Sequence, residues 1–559
     1  MIDLSEDLKK KLLKLYQSKK YSEFENLVES IGNIKELPLY LQTGYAGSKV
    51  LNPNSKQKDY LISNSIFNDA IKKDKNNLEI LYNFILSSLY AEEFYQVIPY
   101  IKKRLNEAPS DKKVIEGAAR INFFLGNMDI SIHYFKKLMD MHAEDVIDGG
   151  RLTYLATMNY PSGVDQSLYL SECMKLNNAF NKNSTFKTFK RSTKKNLTKI
   201  KVGFLSGDFR IHSVGFFLIE FLKNLNKDEF QLFGFSNLEL DRHDNITKEF
   251  KKIFDNWFDT INLSDNELID VIRDENIDIL IDLSGFTFGN RINIFAARCA
   301  PTQICWLGYN NSVGIDNMDY LISDHNLIFK NEEKLYSEKI IYMPKIWNCM
   351  GKPNNLPDIE PIPCLTKDVF SFGSFNNFQK ISNDTIKVWS KILNKSNSQI
   401  YLKNSSGYNK ELYEILFNKF IANGVDPKKI IFLKKKNQFE EHLKDYNKID
   451  LALDTFPYTG VTTSFQAYTM GVPVLTLEGF NFNSRCGASI NKNLGLDDLI
   501  AKNHDEYIKK AIYYIDNRFV LNSIIDDLRN KTLDSPLYDI HNYTYEFSNI
   551  LKNLYKDQF

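Results

Sequence analysis

The sequence predicts an α/β protein of two Rossmann-like domains preceded by an all-α helical region built from stacked helix pairs. Three observations carry this. An amphipathic helical pattern repeats with a 34-residue shift early in the chain. From about residue 199 onward, short and nearly continuous apolar runs alternate with helical patterns. A loop rich in proline then divides those runs into two sets. At 559 residues the chain is also too long for one core, so several domains are expected.

The helical region comes first. Setting "NNLEILYNFILSSLYAEEFYQVIPYIKKRLNEAP" (76–109) above "SDKKVIEGAARINFFLGNMDISIHYFKKLMDMHA" (110–143) places "YIKK" on "YFKK". Both windows carry apolar residues at i, i+3, i+4 and i+7 in two runs, broken near Glu92-Glu93 and Gly126-Asn127. The period is that of tetratricopeptide (TPR) helix pairs. A weaker third copy begins near Glu144, and residues 1–75 read as helical without a clean register. Such pairs stack to bury their faces and leave a concave surface suited to a peptide.

The segment "NKNSTFKTFKRSTKKNLTK" (181–199) is polar and basic, which marks a connector. After it come "IKVGFLSGDF", "FQLFGFS", "IDILIDLSGF" and "PTQICWLGY", separated by patterns such as "NELIDVIRDEN". Apolar strands alternating with helices indicate a parallel sheet covered on both faces. Beyond "NCMGKPNNLPDIEPIPCLTKD", a second set follows: "VFSFGSFNN", "SQIYLKNSS", "KIIFLKK", "IDLALDT" and "VPVLTLEG". The expected domains are residues 1–190 (helical), 191–355 (first α/β lobe) and 356–559 (second α/β lobe).

Composition narrows the function. Charges nearly cancel, 71 Lys+Arg against 70 Asp+Glu, so bulk charge suggests neither nucleic acid nor an anionic membrane as partner. No apolar run approaches the roughly 20 residues that cross a bilayer, and the N-terminus lacks the pattern of a signal peptide. The six cysteines include no Cys-x-x-Cys pair, against a zinc site or disulfide framework. A cytoplasmic protein is expected.

Parallel sheets bind ligands beyond the carboxyl ends of their strands. In the second lobe, Asn376, Asn377 and Lys380 follow "FSFGSF", and "TGVTTSFQAYTMG" follows "IDLALDTFPY". There the chain turns at Gly460 and presents Thr462 and Thr463 at a helix start, where free N–H groups, the helix dipole and hydroxyls form a cradle for a diphosphate. A lysine on the neighbouring strand end supplies the full charge that a departing diphosphate requires. Taken singly, "TTSF" is a helix cap and Lys380 a surface lysine; the pairing is what points to chemistry.

His442, in "FEEHLKDYNKID", reads either as an ordinary helix residue or as a contact to a nucleotide base. In the first lobe, "SGDFRIHSVGFF" sets Asp208 and His212 just after the first strand. "SGFTFGNR" and "WLGYNNSVG" are glycine-bearing loops that either approach a sugar or make tight turns. The chain has no G-x-x-x-x-G-K-[ST], no G-x-G-x-x-G and no Asp-x-Asp. Charge neutralisation by Lys380 and helix N–H groups, without a carboxylate-held metal, is therefore expected.

From about Lys199 to the C-terminus the chain resembles the O-GlcNAc transferase family, including the SPINDLY-type protein O-fucosyltransferases and their bacterial relatives. The stretches that carry the resemblance are "SGDFRIHSVGFFLIEFL", "IDILIDLSGFT", "CAPTQICWLGYNNSVGIDNMDYLISD", "FGSFNNFQKIS", "IDLALDTFPYTGVTT", "MGVPVLTLEG" and "NLGLDDLIAKNHDEY". It implies the GT-B arrangement, two Rossmann-like domains facing a cleft, and inverting, metal-independent sugar transfer from a nucleotide diphosphate to Ser or Thr of proteins. By the same resemblance Lys380 matches the lysine on the donor diphosphate, and Thr462 and Thr463 the threonines on its phosphates. Asn376 and Asn377 match the amides beside that lysine, His442 the histidine near the base, His212 the active-site histidine of the first lobe, and Leu307 and Gly308 the loop near the donor sugar.

Departures from the family pattern bear on the donor. Gln466 stands where relatives carry an acidic residue for the ribose, Val461 where the animal enzymes have histidine, Phe439 for a lysine near the base, and Phe216 for a second histidine. His212 and, by looser alignment, Asp259 are the candidates for general base. The resulting expectation is a protein O-glycosyltransferase using UDP-GlcNAc, with no cofactor or metal and with the acceptor protein held by the TPR-like region. GDP-fucose and UDP-glucose are the alternative donors, and asparagine or a glycan the alternative acceptor. A TPR scaffold with an inactive transferase lobe is the non-enzymatic rival, and Lys380, Thr462 and Thr463 argue against it.

Overall fold

The computed structural model describes residues 4–52, 55–141, 149–183, 189, 199–404, 409–436 and 438–557. The chain forms two compact units, Met1–Ala143 with Asn409–Ile415, and Glu144–Tyr408 with Leu416–Phe559.

The first unit is helical, and its repeat is visible atom by atom. Asn77 and Asp111, 34 positions apart, each cap a helix: Ile80 N donates to Asn77 Oδ1 at 3.2 Å and Val114 N to Asp111 Oδ1 at 3.4 Å. The helices that follow, Leu78–Ala91 and Lys112–Phe124, end in left-handed turns at Glu92 (φ 57°) and Gly126 (φ 70°). The second members of the pairs are Ile98–Glu107 and Met128–Met141. Positions one repeat apart, Ile80 with Val114, Phe84 with Ala118 and Ile101 with Phe135, are all buried. The expected third copy begins outside the described residues, as does most of the 181–199 connector.

The second unit holds two parallel sheets. The first comprises β1 (Ile200–Ser206), β2 (Phe230–Ser236), β3 (Asn256–Asp259), β4 (Ile279–Asp282), β5 (Thr302–Cys305), β6 (Tyr320–Asp324) and β7 (Lys339–Met343), in the order β3-β2-β1-β4-β5-β6-β7. The second comprises β8 (Phe370–Ser374), β9 (Ser398–Leu402), β10 (Ile430–Phe432), β11 (Leu451–Leu453), β12 (Val474–Leu477) and β13 (Ile500–Ala501), in the order β10-β9-β8-β11-β12-β13. Each sheet runs outward from its first strand in both directions, so strand order reverses between β1 and β4 and between β8 and β11. Those reversals open a crevice at the carboxyl ends, where doubly wound sheets bind ligands. Burial of β4, β5, β8 and β11 along their whole length accounts for their near-continuous apolar runs.

Two segments lie apart from where their sequence position groups them. Helices Gly149–Thr157 and Gln166–Asn183 belong to the second unit, not to the repeats: Asn159 donates to the Tyr309 hydroxyl at 2.8 Å, and the Tyr169 and Tyr309 hydroxyls meet at 2.6 Å. The final helix, Ile540–Lys556, returns to the first sheet, where the Phe547 ring lies 4.9 Å from Phe221 and 4.6 Å from Trp306. Among the described residues no helix is long and apolar enough to cross a membrane.

Candidate active site

The reversal between β8 and β11 assembles a compact polar group. Beyond β8 the chain turns through Asn377, whose side chain accepts from Gln379 N at 3.2 Å and donates to Gln379 Oε1 at 2.9 Å. Asn377 thus closes the turn that presents Lys380 and does not itself point to a ligand position. Asn376, buried, faces the other strand end: its Oδ1 accepts from Thr463 Oγ1 at 2.7 Å and its Nδ2 donates to Asp454 Oδ1 at 3.3 Å.

Asp454 organises the turn after β11. Its carboxylate accepts from Gly460 N at 2.7 Å, Thr455 N at 2.9 Å and Thr476 Oγ1 at 2.8 Å. Burial nevertheless pushes its carboxyl up to about 6. Gly460 is needed where it stands, because a Cβ there would lie 2.6 Å from Thr463 Oγ1 and 2.7 Å from Asn376 Oδ1. We expect Asp454→Ala, which leaves these donors without an acceptor, to lower stability by about 1–3 kcal/mol. Thermal unfolding measures this, and an unchanged Tm would remove Asp454 from the scaffold.

Lys380 Nζ donates to Thr459 O at 3.0 Å and lies 4.0 Å from the centre of the Tyr458 ring. Burial lowers its ammonium to about 8, against the upward pull of the Asp454 charge. Across from it the helix Thr462–Thr469 begins at Val461, which provides no side-chain cap, and the Thr462 hydroxyl has no hydrogen-bond partner among the described residues. The helix start therefore keeps open N–H groups and one open hydroxyl, the arrangement that receives an anion.

One turn further on, Gln466 Oε1 lies 3.1 Å from His442 Nε2. His442 sits among the rings of Phe375, Phe439 and Tyr446 at centroid distances of 6.3, 6.2 and 6.0 Å. Burial first, and then the charge of Lys403, lower its pKa, so the imidazole is neutral at pH 7. Lys403 is itself buried against Asp445 at 2.7 Å. In Gln466→Glu a carboxylate would face the ring, and we expect the His442 pKa to rise. NMR titration of the ring proton reads this, and no upward shift would show that the two side chains are not in contact.

In the first lobe His212 caps the helix Ser213–Asn224, its Nδ1 accepting from Val214 N at 3.4 Å and lying 3.6 Å from Asp208 Oδ2. Burial lowers the His212 pKa more than Asp208 raises it. This helix faces the second lobe: Phe216 meets Phe439 at 6.0 Å and Phe217 meets Phe465 at 5.1 Å. His212 thereby stands at the end of a helix that packs on the one beginning at Thr462. Leu307 (φ 75°) and Gly308 lie in the turn after β5, and a Cβ on Gly308 would fall 1.9 Å from Leu283 O, so the turn is pressed against the chain leaving β4. Asp259 is placed elsewhere. It ends the edge strand β3, with its carboxylate on Trp257 Nε1 at 2.8 Å and Lys251 at 3.2 Å, and its contacts include none of the other candidate residues.

The profile of glycosyl transferase family 41 matches residues 159–359 and 363–547, which is most of the second unit. The chain belongs to glycosyl transferase family 41. Its relatives include the probable UDP-N-acetylglucosamine--peptide N-acetylglucosaminyltransferases SPINDLY of Solanum lycopersicum and of Oryza sativa subsp. japonica. Each is 28% identical over 360 residues, covering 64% of this chain and 38% and 39% of the respective relative. The chain thus spans less than half the length of these relatives. A solved structure of an O-GlcNAc transferase variant from Thermobaculum terrenum superposes with a TM-score of 0.83 at 23% identity, over 93% of this chain and 99% of that one. That likeness shows the GT-B fold with its preceding helical region.

Within this family 41 fold, three residues join the site that spacing alone does not single out: Asp454, Tyr458 and Thr459. Asp454 was visible as a carboxylate at the end of an apolar strand. The others have no sequence signal, because Thr459 meets Lys380 through its carbonyl and Tyr458 does so through its ring face. Among the described residues no group of three or more His, Cys, Asp or Glu is placed to hold a metal ion.

Proposed function

We propose that the protein transfers a sugar from a nucleoside diphosphate, UDP-GlcNAc as first choice, to a serine or threonine of a protein, with inversion and without a metal. The observation that carries this reading is the pairing of Lys380 with an uncapped helix start across the β8–β11 crevice. Family membership supports glycosyl transfer, and the names of the plant relatives support the donor and the peptide acceptor.

In this reading the diphosphate lies between Lys380 Nζ on one side and the N–H groups of Thr462 and Thr463 and the open hydroxyl of Thr462 on the other. Asn376 holds Thr463 in place, and Gly460 lets the two strand ends approach. The uracil or other base lies by His442, with the free amide N–H of Gln466 offered to the ribose. The acceptor hydroxyl attacks the anomeric carbon from the face opposite the diphosphate, so one bond forms as the other breaks and the configuration inverts. The departing electron pair goes to the diphosphate, where Lys380 and the helix start stabilise it; these fixed charges do what a metal does in other transferases. For His212 to take the acceptor proton through Nε2, its other proton sits on Nδ1 and is given to Asp208 Oδ2, so the bond that Nδ1 accepts from Val214 N is released in the reacting tautomer. The Leu307-Gly308 turn borders the sugar, and the helical unit holds the acceptor protein.

Incubation with UDP-GlcNAc, UDP-glucose and GDP-fucose, each with and without protein extract as acceptor, tests the reading through nucleoside diphosphate release. We expect release with UDP-GlcNAc that persists in excess chelator. Release with GDP-fucose alone would replace the donor, and no release with any of the three would leave the scaffold reading in its place.

A further inference from the structure

The helical unit contains a cavity of about 380 Å³ that the transfer chemistry does not use. It lies where the end of the helix Gln57–Lys73, the following loop and the helices Leu78–Ala91 and Ile98–Glu107 come together. Its wall combines apolar side chains with two amides: Ile71 and Leu81 are buried and Tyr100 is half-buried, with Asn76 and Asn77 beside them. Its rim is cationic, with Lys75, Lys103 and Arg104 against the single carboxylate of Glu107.

Two of these three charges, those of Lys75 and Lys103, are weakly compensated. Lys75 has no partner among the described residues. Lys103 meets Glu107 only across 3.7 Å, with both side chains more than half exposed, a kind of pair that contributes little in water. Arg104 is the exception: its Nε donates to the largely buried carboxylate of Asp111 at 2.8 Å, and the two form an ion pair. In a chain whose formal net charge is +1, such a cluster is a local feature and not a reflection of bulk composition. Elsewhere in the unit, basic residues at helix ends such as Lys72 are matched locally, Lys72 by Asp69 at 3.2 Å.

We propose that this cavity docks an acidic side chain and its apolar neighbour from the acceptor protein. The identity of the occupant as acceptor rests on the proposed transferase function; the binding itself does not. The apolar side chains of the wall take the neighbour, and Lys75 and Lys103 take the carboxylate. A single half-buried ring at the cavity offers no series of stacking faces, which favours a peptide over a single-stranded nucleic acid.

The test uses the full chain and a fluorescein-labelled dodecapeptide of alternating Glu and Leu, followed by fluorescence anisotropy. Control probes are the Lys-Leu counterpart, a peptide of Glu alone and a single-stranded RNA. We expect the Glu-Leu peptide to bind in preference to all three controls, more weakly as salt rises. In K75E/K103E its affinity should fall by about tenfold or more at low salt. The milder Lys75→Gln should give an intermediate loss, and the thermal transition of both variants should match the parent, since both lysines are exposed. Nucleoside diphosphate release without acceptor protein should be unchanged in K75E/K103E, while transfer to protein falls. Equal binding of the probe to parent and K75E/K103E would overturn the site, and RNA or all-Glu peptide binding as well as the Glu-Leu peptide would overturn the assigned occupant. Absence of release in the parent, with the binding difference intact, would instead refute the transferase reading and leave the docking site standing.

Discussion

Lys380→Ala should lower kcat by roughly 10²–10³, the range found when one preorganised group that stabilises developing charge is removed. The ammonium is the one full positive charge placed at the diphosphate cradle by the turn after β8, held by Thr459 O at 3.0 Å and resting on the Tyr458 ring. Its loss should weaken nucleoside diphosphate binding while leaving the fold intact, since a buried amine brought down to about 8 is itself under desolvation strain. The pH dependence has a definite sign. Lys380 must be protonated to act, so kcat/KM should fall as pH rises through about 8 in the free enzyme. Binding of the diphosphate stabilises the ammonium and moves its pKa up, so binding above pH 8 takes up protons, which calorimetry in buffers of different ionisation enthalpy measures. For stability the sign is the reverse of a paired lysine: the depressed folded pKa is a cost present below about 8 and relieved between there and the ordinary lysine value of 10.5. Turnover by Lys380→Ala at the parent rate would sink the mechanism.

His212→Gln should lower kcat by about 10²–10⁴, the contribution of a general base. In the parent the base must be neutral, and burial holds the His212 pKa below its ordinary 6.5. The rate should therefore rise with pH through a value below 6.5 and fall again near 8, a bell whose limbs belong to His212 and Lys380. In His212→Gln the acid limb should vanish while the alkaline limb stays. If the variant keeps the acid limb and loses less than about tenfold, His212 only caps its helix through Val214 N, and proton transfer belongs to another group.

Much of this site can be read before the fold is known. A lysine after one apolar strand and a pair of threonines at a helix start after another place an anion site, because both lie beyond carboxyl strand ends. Asn376 and Gln466 fall inside the same stretches and do take part, one bonded to Thr463 and the other facing His442. Asn377 shares its stretch with Asn376 yet turns to Gln379, since neighbouring residues leave a strand end on opposite sides.

Asp259 shows where reading along the chain stops. Loose alignment sets it beside the chemistry, but β3 lies two strands from β1, at the edge of the sheet, and nothing in "DNWFDTINL" states strand order. The strands β3, β6, β7 and β13 are likewise faint as apolar runs. β3 and β7 are only partly buried and so carry mixed residues, while β13 has two residues and no pattern to show. The weaker third copy read from near Glu144 overlaps the helices Gly149–Thr157 and Gln166–Asn183, and contacts such as Asn159 with Tyr309 assign these helices to the α/β unit.

By itself the sequence determined the elements: the 34-residue helix pairs, the central strands of both sheets, and the polar residues that follow their carboxyl ends. These follow from local rules of capping, periodicity and burial on two faces, which act over a few residues. The tertiary structure alone decided which strands became neighbours, that Asp454 would tie Gly460 to Asn376, that Phe216 and Phe217 would bring the His212 helix against Phe439 and Phe465, and that burial would bring Lys380 down to about 8. Each of these depends on groups distant in the chain sharing one low-dielectric crevice, and the free energy of such a meeting is written in the packing, not in any single stretch of residues.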